Sequence, residues 1–143
     1  MLKDLAVKYN REQHYNCAES LIKAASDYYD LDIDPKSVTL MSGFGNGMMC
    51  GDVCGGLIGS IAIISYLYVE QKAAEDKPGL RKKLQKEIRA FEQALGSRLC
   101  REIKPKYFSR ETGCSITIAK AADILENVIT EIEAERQEAE ISG

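Results

Sequence analysis

The apolar stretch from Leu57 to Val69 most constrains the fold of this chain. It is about 13 residues long and is interrupted only by Gly59, Ser60 and Ser65. A membrane-spanning helix needs about 20 apolar residues, so the stretch is too short to cross a bilayer. A helix that is apolar nearly all round is typical of one surrounded by others. The sequence therefore predicts a buried, central helix and no membrane insertion.

Apolar residues recur at spacings of three and four along most of the chain, and strand signals are scarce. This periodicity predicts an all-α, single-domain bundle over residues 1–143, with about five helices around the central apolar helix. The predicted helices begin near Asn16, at Asp34–Pro35, near Val53, near Leu80 and near Thr112. Residues 97–113 are predicted to be irregular and broken at Pro105.

Several residues predict where these helices begin and end. Asn16 and Glu19 have the spacing of a capping box, and Asp34 followed by Pro35 is typical of a helix start. Gly96 follows an amphipathic pattern and predicts a helix end. The acidic end of the chain opposes the helix dipole, so fraying is expected from about residue 134.

Composition limits the possible partners. The formal net charge is −3 with both signs spread along the chain, which argues against nucleic-acid binding. The first residues contain neither a secretory nor a twin-arginine signal, which favours a cytoplasmic location. In a reducing compartment, five cysteines in a small domain indicate metal binding or catalysis rather than a disulfide framework.

Four cysteines are predicted to lie where a negative charge is stabilised. Cys17, Cys54 and Cys114 fall in predicted first helical turns, where free N–H groups and the helix dipole favour a thiolate. Cys100 lies in a basic segment, which acts in the same direction. The basic residues of that segment are Arg98, Arg101, Lys104, Lys106 and Arg110, against one acid, Glu102.

Thiolates suit zinc, copper(I) and iron–sulfur clusters, but the gaps between these four cysteines match no standard zinc or ferredoxin spacing. The leading hypothesis is a redox or electron-transfer protein whose metal ligands, Cys17, Cys54, Cys100 and Cys114, bind an iron–sulfur cluster, with two irons and two sulfides as the preferred type. Two alternatives stay open. One is cofactor-free thiol/disulfide chemistry with Cys54 as the reactive thiol, and the other is a structural zinc site in an interaction module.

A glycine-rich loop, "GFGNGMMCGDVCGG" from residue 43 to 56, precedes the apolar helix. Glycines let backbone approach a cofactor closely, and successive N–H groups in turns form an anion-binding nest. The predicted cofactor-binding glycines are Gly47, Gly51, Gly55 and Gly59. Cys50 in this loop is interpreted as a bystander, and His14 as a surface residue rather than a ligand.

Five segments resemble a known family. They are N-C-A-E-S at 16–20, G-F-G-N-G-M at 43–48, C-G-G-L-I-G at 54–59, L-C-R-E-I at 99–103, and Cys114. Together they resemble the C-GCAxxG-C-C family of putative redox-active proteins over about residues 14–130. The resemblance implies that Cys17, Cys54, Cys100 and Cys114 are the family cysteines, with Gly56 in place of the usual Ala. It also implies a small helical bacterial or archaeal protein, with some relatives linked to haem or iron–sulfur cofactors.

The expected partner is a redox protein that the sequence does not identify. Exposed apolar faces on so short a bundle also make a homodimer a candidate.

Overall fold

The computed structural model describes residues 1–142, and within them the chain is helical with no β-strand. The all-α prediction is therefore confirmed. Two isolated backbone bridges are the only β-type pairings in this part of the chain. The seven α-helices are α1 (Leu2–Gln13), α2 (Cys17–Tyr28), α3 (Pro35–Val38), α4 (Gly55–Tyr68), α5 (Lys77–Leu95), α6 (Cys100–Tyr107) and α7 (Ser115–Ser142).

The predicted helix boundaries at α2, α3 and α5 are confirmed by their caps. Asn16 Oδ1 accepts a hydrogen bond from Glu19 N at 2.8 Å, and Asn16 N donates to Glu19 Oε1 at 2.9 Å. Asp34 accepts from Ser37 N at 3.0 Å. Gly96 ends α5 in a left-handed conformation with φ of 80°. Local side-chain chemistry therefore determines these three ends.

Two helices were not predicted from the sequence. Helix α1 begins the chain, and α6 lies inside the segment 97–113 that was predicted to be irregular, with Pro105 within the helix. In α6, Ile103 is buried and Cys100 N donates to Asp52 O at 2.7 Å, so tertiary contacts anchor a helix that its own sequence supports weakly.

The other segments differ from prediction mainly in length. Helix α4 ends at Tyr68 because Val69 is extended, and a 3₁₀ turn follows at Ala73–Asp76. The helix predicted from Pro35 to Gly43 is α3 followed by a 3₁₀ turn at Thr39–Phe44. The turn Gly47–Gly51, in which Met48 and Met49 have left-handed backbone conformations, forms the centre of the glycine-rich loop.

The core lies between α2, α4, α5 and α7. Helix α4 packs against α2, α5 and α7, and α1 packs against α2 and α7. Apolar residues at spacings of four and three from Ile118 to Ile132 predict an inward face for α7, and this face is confirmed because its five residues are buried: Ile118, Ala122, Leu125, Ile129 and Ile132. The arrangement of the other helices around α4, the single domain and the frayed end from residue 134 stay predictions, although α7 itself continues to Ser142.

Helices α2 and α4 approach closely at Gly59. A Cβ atom at this position would lie 2.9 Å from the Ala18 carbonyl oxygen and 3.0 Å from Leu21 Cβ. The glycine therefore removes the side chain that would hold the two helices apart. None of the helices between residues 1 and 142 combines the length and apolar content that crossing a bilayer needs.

Candidate functional site

Four of the five cysteines line one small cavity, and they are the four that the sequence predicted as ligands. The cavity has a volume of about 20 Å³. We call it the four-cysteine cavity, and its lining residues are Cys17, Asn46, Cys54, Cys100, Ile103, Lys104, Phe108, Cys114 and Thr117.

Each of these cysteines lies at the N-terminal end of a different helix. Cys17 is the first residue of α2, and Cys100 is the first residue of α6. Cys54 immediately precedes α4, and the Cys114 carbonyl accepts the first helical hydrogen bond of α7 from Ile118 N at 2.9 Å. Cys54 and Cys114 therefore lie immediately before the first helical turn rather than within it as predicted, and Cys100 is helical. At two of these helix starts, main-chain amides point to the thiols, from Ala18 to Cys17 and from Gly56 and Leu57 to Cys54.

The glycine-rich loop is attached to the start of α6 by main-chain hydrogen bonds. Cys54 N donates to Arg98 O at 2.8 Å, and Cys100 N donates to Asp52 O at 2.7 Å, on either side of a bridge between Val53 and Leu99. This pairing brings two cysteines that are distant in the sequence to the same cavity. It is a tertiary contact that helical periodicity does not predict.

The four predicted cofactor-binding glycines lie near the cavity but do not line it. Gly47 and Gly51 have φ of 59° and 77°, and a Cβ at Gly47 would collide with the Asp52 backbone. A Cβ at Gly55 would collide with Cys17 Sγ and with the Phe44 carbonyl oxygen. These glycines permit the loop geometry and the close approach of α2 and α4. Direct contact of their backbone with a cofactor stays a prediction.

Burial opposes ionisation of the cavity thiols. It raises the pKa of Cys54 to about 12, with Cys17 and Cys100 acting in the same direction, while the Gly56 and Leu57 amides lower it. Burial likewise raises the pKa of Cys17. The prediction that helix N-termini hold these thiols as thiolates is therefore wrong for the protein without a bound cation, since desolvation outweighs the amides.

The basic segment places less positive charge beside the thiols than predicted, because only Lys104 of its five cations lines the cavity. Burial raises the pKa of Cys114, and the Lys104 ammonium partly opposes this shift. Lys104 Nζ donates to Asn46 Oδ1 at 3.2 Å and lies 4.9 Å from the Phe108 ring centroid. Arg98 instead pairs with Glu92 at 3.1 Å.

Lys104, Asn46 and Phe108 form one side of the cavity. Phe108 is 45% exposed, so this side meets solvent. Asn46 and Phe108 were not predicted as site residues. The left-handed conformation of Asn46, with φ of 52°, could have been suspected from its place between two glycines, but Phe108 carries no local signal.

Cys50 and His14 lie outside the cavity. Cys50 is exposed, and its thiol donates to Gly47 O at 3.5 Å. His14 is exposed and ends α1 with φ of 62°. The surface position predicted for His14 is confirmed, and the interpretation of Cys50 as a bystander stays a prediction.

The side chains of the cavity offer the donor chemistry of a soft metal. Four thiols are the donor set of zinc sites and iron–sulfur clusters. Across residues 1–142 no group of three or more His, Cys, Asp or Glu side chains is already arranged to hold a metal ion.

The cysteines, in this order and on these elements, agree with a sequence family. The family model described as "Putative redox-active protein (C_GCAxxG_C_C)" matches residues 15–128. The chain belongs to this family. The match includes all four cysteines of the cavity, and membership of the C_GCAxxG_C_C family supports a redox role. No curated protein and no solved structure matches the chain.

Proposed function

We propose that this C_GCAxxG_C_C protein is an electron-transfer protein that binds an iron–sulfur cluster of the two-iron, two-sulfur type. The ligands would be Cys17, Cys54, Cys100 and Cys114. The observation that carries the proposal is that these four thiols, from four separate helices, line one cavity. When bound, the cluster would accept and release one electron.

The surroundings of the thiols support binding of a cation. Burial favours neutral thiols, so a metal supplies the positive charge that lets them ionise, and binding releases protons. Amides at the starts of α2 and α4 already point to Cys17 and Cys54, where they would stabilise sulfur that carries negative charge. Lys104 adds one positive charge beside the cavity.

The glycines act mainly on the position of the ligands in this proposal. Gly55 lets the N-terminus of α4 approach Cys17, and Gly47 and Gly51 let the loop fold back so that Cys54 meets Cys100. The exposed side of the cavity, with Phe108 and Lys104, is where a redox partner would approach. The partner protein and a homodimer stay proposals.

A zinc site is the second candidate, because four cysteine thiolates are also the ligand set of structural zinc sites. The cofactor-free alternative is weaker. A reactive thiol must be accessible and ionised, whereas Cys54 is 4% exposed and burial raises its pKa to about 12.

The test is metal and sulfide analysis of protein purified and reconstituted without oxygen. We expect iron and sulfide in equal amounts and visible charge-transfer absorption, both lost when any one of the four ligands becomes serine. Cys50→Ser is the matched control and should keep full iron content. Stoichiometric zinc with no sulfide would favour the second candidate, and a protein that takes up neither metal would refute both.

A further inference from the structure

Glu87 is a carboxyl group in the apolar core with no hydrogen-bond partner. Its side chain on α5 is fully buried, and neither carboxyl oxygen accepts or donates a hydrogen bond. Leaving a buried polar group unpaired costs about 1–3 kcal/mol, and more if it is charged. A buried carboxyl group without a partner needs an explanation, and Glu87 is not one of the proposed ligands at the four-cysteine cavity.

The groups around Glu87 make it a site where a proton can be held. Helix α5 packs against α4, α7 and the turn Ala73–Asp76. No charged group of these elements shifts the pKa of Glu87. Burial raises that pKa to about 7, and the nearby Ser60 hydroxyl on α4 partly opposes this shift. The carboxyl group therefore changes its protonation near neutral pH rather than near its ordinary value.

Helix α4 connects Glu87 to the four-cysteine cavity. Ser60 Oγ donates to Gly56 O at 2.8 Å, one turn back along the helix. Gly56 belongs to the first turn of α4, where its amide points to Cys54, and a Cβ at Gly56 would lie 3.6 Å from Cys54 Sγ. The Ser60 hydroxyl has one proton, which it can donate in a good hydrogen bond to only one acceptor at a time. An ionised Glu87 carboxylate would therefore compete with the Gly56 carbonyl oxygen for this hydrogen bond.

We propose that Glu87 is the proton acceptor linked to reduction at the four-cysteine cavity. With a cluster bound, one electron from a one-electron reductant would enter the cavity, and one proton from solvent would form an O–H bond with the Glu87 carboxylate. Both would leave on reoxidation, so that charge in the core would stay balanced. The physical reason is that added negative charge in a low-dielectric interior raises the proton affinity of a carboxylate in the same core, and Ser60 and Gly56 of α4 connect Glu87 to the cavity.

The proposal rests on the proposed function, because a cluster must supply the electron acceptor. The titration of Glu87 can nevertheless be tested in protein without metal. Infrared or carbon NMR titration of the metal-free, reduced protein should reveal a carboxyl group that titrates near pH 7 and disappears in Glu87→Gln. Ser60→Ala should move this titration to higher pH, because no hydroxyl would then be able to turn from Gly56 to the ionised carboxyl group. Titration of Glu87 below pH 5 would overturn the inference.

The redox half uses protein reconstituted with iron and sulfide and reduced by dithionite. We expect the equilibrium constant for reduction of the wild type to fall by up to tenfold per pH unit around neutral pH. Glu87→Gln should remove this dependence, and Glu138→Gln, an exposed acid on α7, should keep it. A purely structural role for Glu87 would leave the pH dependence unchanged.

The two possible failures are distinguishable. A loaded wild type whose potential does not vary with pH, or varies equally in Glu87→Gln, overturns the inference and leaves the proposed function intact. A protein that binds no iron overturns the proposed function, and the redox link with it, and iron analysis identifies this case.

Discussion

At the scale of single residues, the unusual groups of this protein are acidic side chains that are buried in the core, although their ionised forms are more stable in water. Glu87 and three of the cavity thiols all have their pKa raised, with burial as the largest cause. A buried acid without a counterion stays protonated, and the protein loses stability whenever it must ionise. Each of these residues is therefore a place where proton or metal binding changes the stability of the fold.

Glu87 should make the stability of the metal-free protein depend on pH. Because the folded state holds this proton more tightly than the unfolded chain, stability is complete below about pH 4.5 and declines as pH rises to about 7. The loss from this one group is roughly 3 kcal/mol. Urea unfolding from pH 4 to 8 should show that the wild type loses this amount relative to Glu87→Gln. Parallel curves would contradict the prediction, and Glu138→Gln should follow the wild type.

The rates of alkylation should distinguish Cys50 from Cys54. Cys50 is exposed, whereas Cys54 is 4% exposed and its thiol is held neutral by burial. In metal-free, reduced protein at pH 7.5, we expect iodoacetamide to modify Cys54 at least about 100-fold more slowly than Cys50. Mass spectrometry of digested samples over time measures both rates. If Cys54 reacts first, the cofactor-free thiol function would replace the proposed one.

At the scale of elements, the site depends on how helix ends meet. Helix α2 begins at Cys17 because of its capping box, and α4 begins directly after Cys54. Gly55 and Gly59 let these two helices pack without side chains between them. The loop 43–53 then reaches α6 through its main chain. Close packing of α2 on α4 is thus what places two of the four thiols.

Gly59→Ala should weaken this packing. The new Cβ would lie 2.9 Å from a backbone carbonyl oxygen, so the helices must separate slightly. We expect the free energy of unfolding to fall by about 1–2 kcal/mol after the gain in helix propensity is included. Gly43→Ala is the control, since a Cβ there meets nothing within 4 Å, and it should have little effect. Equal stability of the two variants in urea unfolding would show that the contact is not tight.

At the scale of the whole molecule, the candidate ligands come from four helices that are distributed from residue 17 to residue 114. A metal bound to all four would connect α2, α4, α6 and α7. Because such a site cannot exist in the unfolded chain, its binding free energy adds to the stability of the entire fold.

Removal of bound metal should therefore lower the melting temperature. Binding at 100 times the dissociation constant contributes about 2.7 kcal/mol, which for a chain of this size corresponds to roughly 5–10 °C. Calorimetry without oxygen, before and after treatment with a chelator, measures the difference. Cys50→Ser should keep the full shift, whereas Cys17→Ser and Cys114→Ser should remove it. A shift that persists in Cys17→Ser would place the metal elsewhere.

The sequence by itself determined the all-helical fold class, the caps of α2, α3 and α5, the buried face of α7 and the four cysteines that share a cavity. These features depend on periodicity, on side chains within one turn of a helix end, and on the motif that Cys54 begins. Each of these features depends on residues that are close together in the sequence or on the residue type at a single position.

Only the tertiary structure decided that α6 is a helix, that the loop pairs with it through Val53 and Leu99, and that Glu87 is buried without a partner. The pattern of α5 alone does not distinguish a buried Glu87 from an exposed acid, because its burial depends on the approach of α4 and α7. The protonation of the thiols was also a tertiary effect. Helix N-termini favour thiolates locally, but the packing of all the helices around the cavity removes water from the thiols, and this desolvation outweighs the local preference.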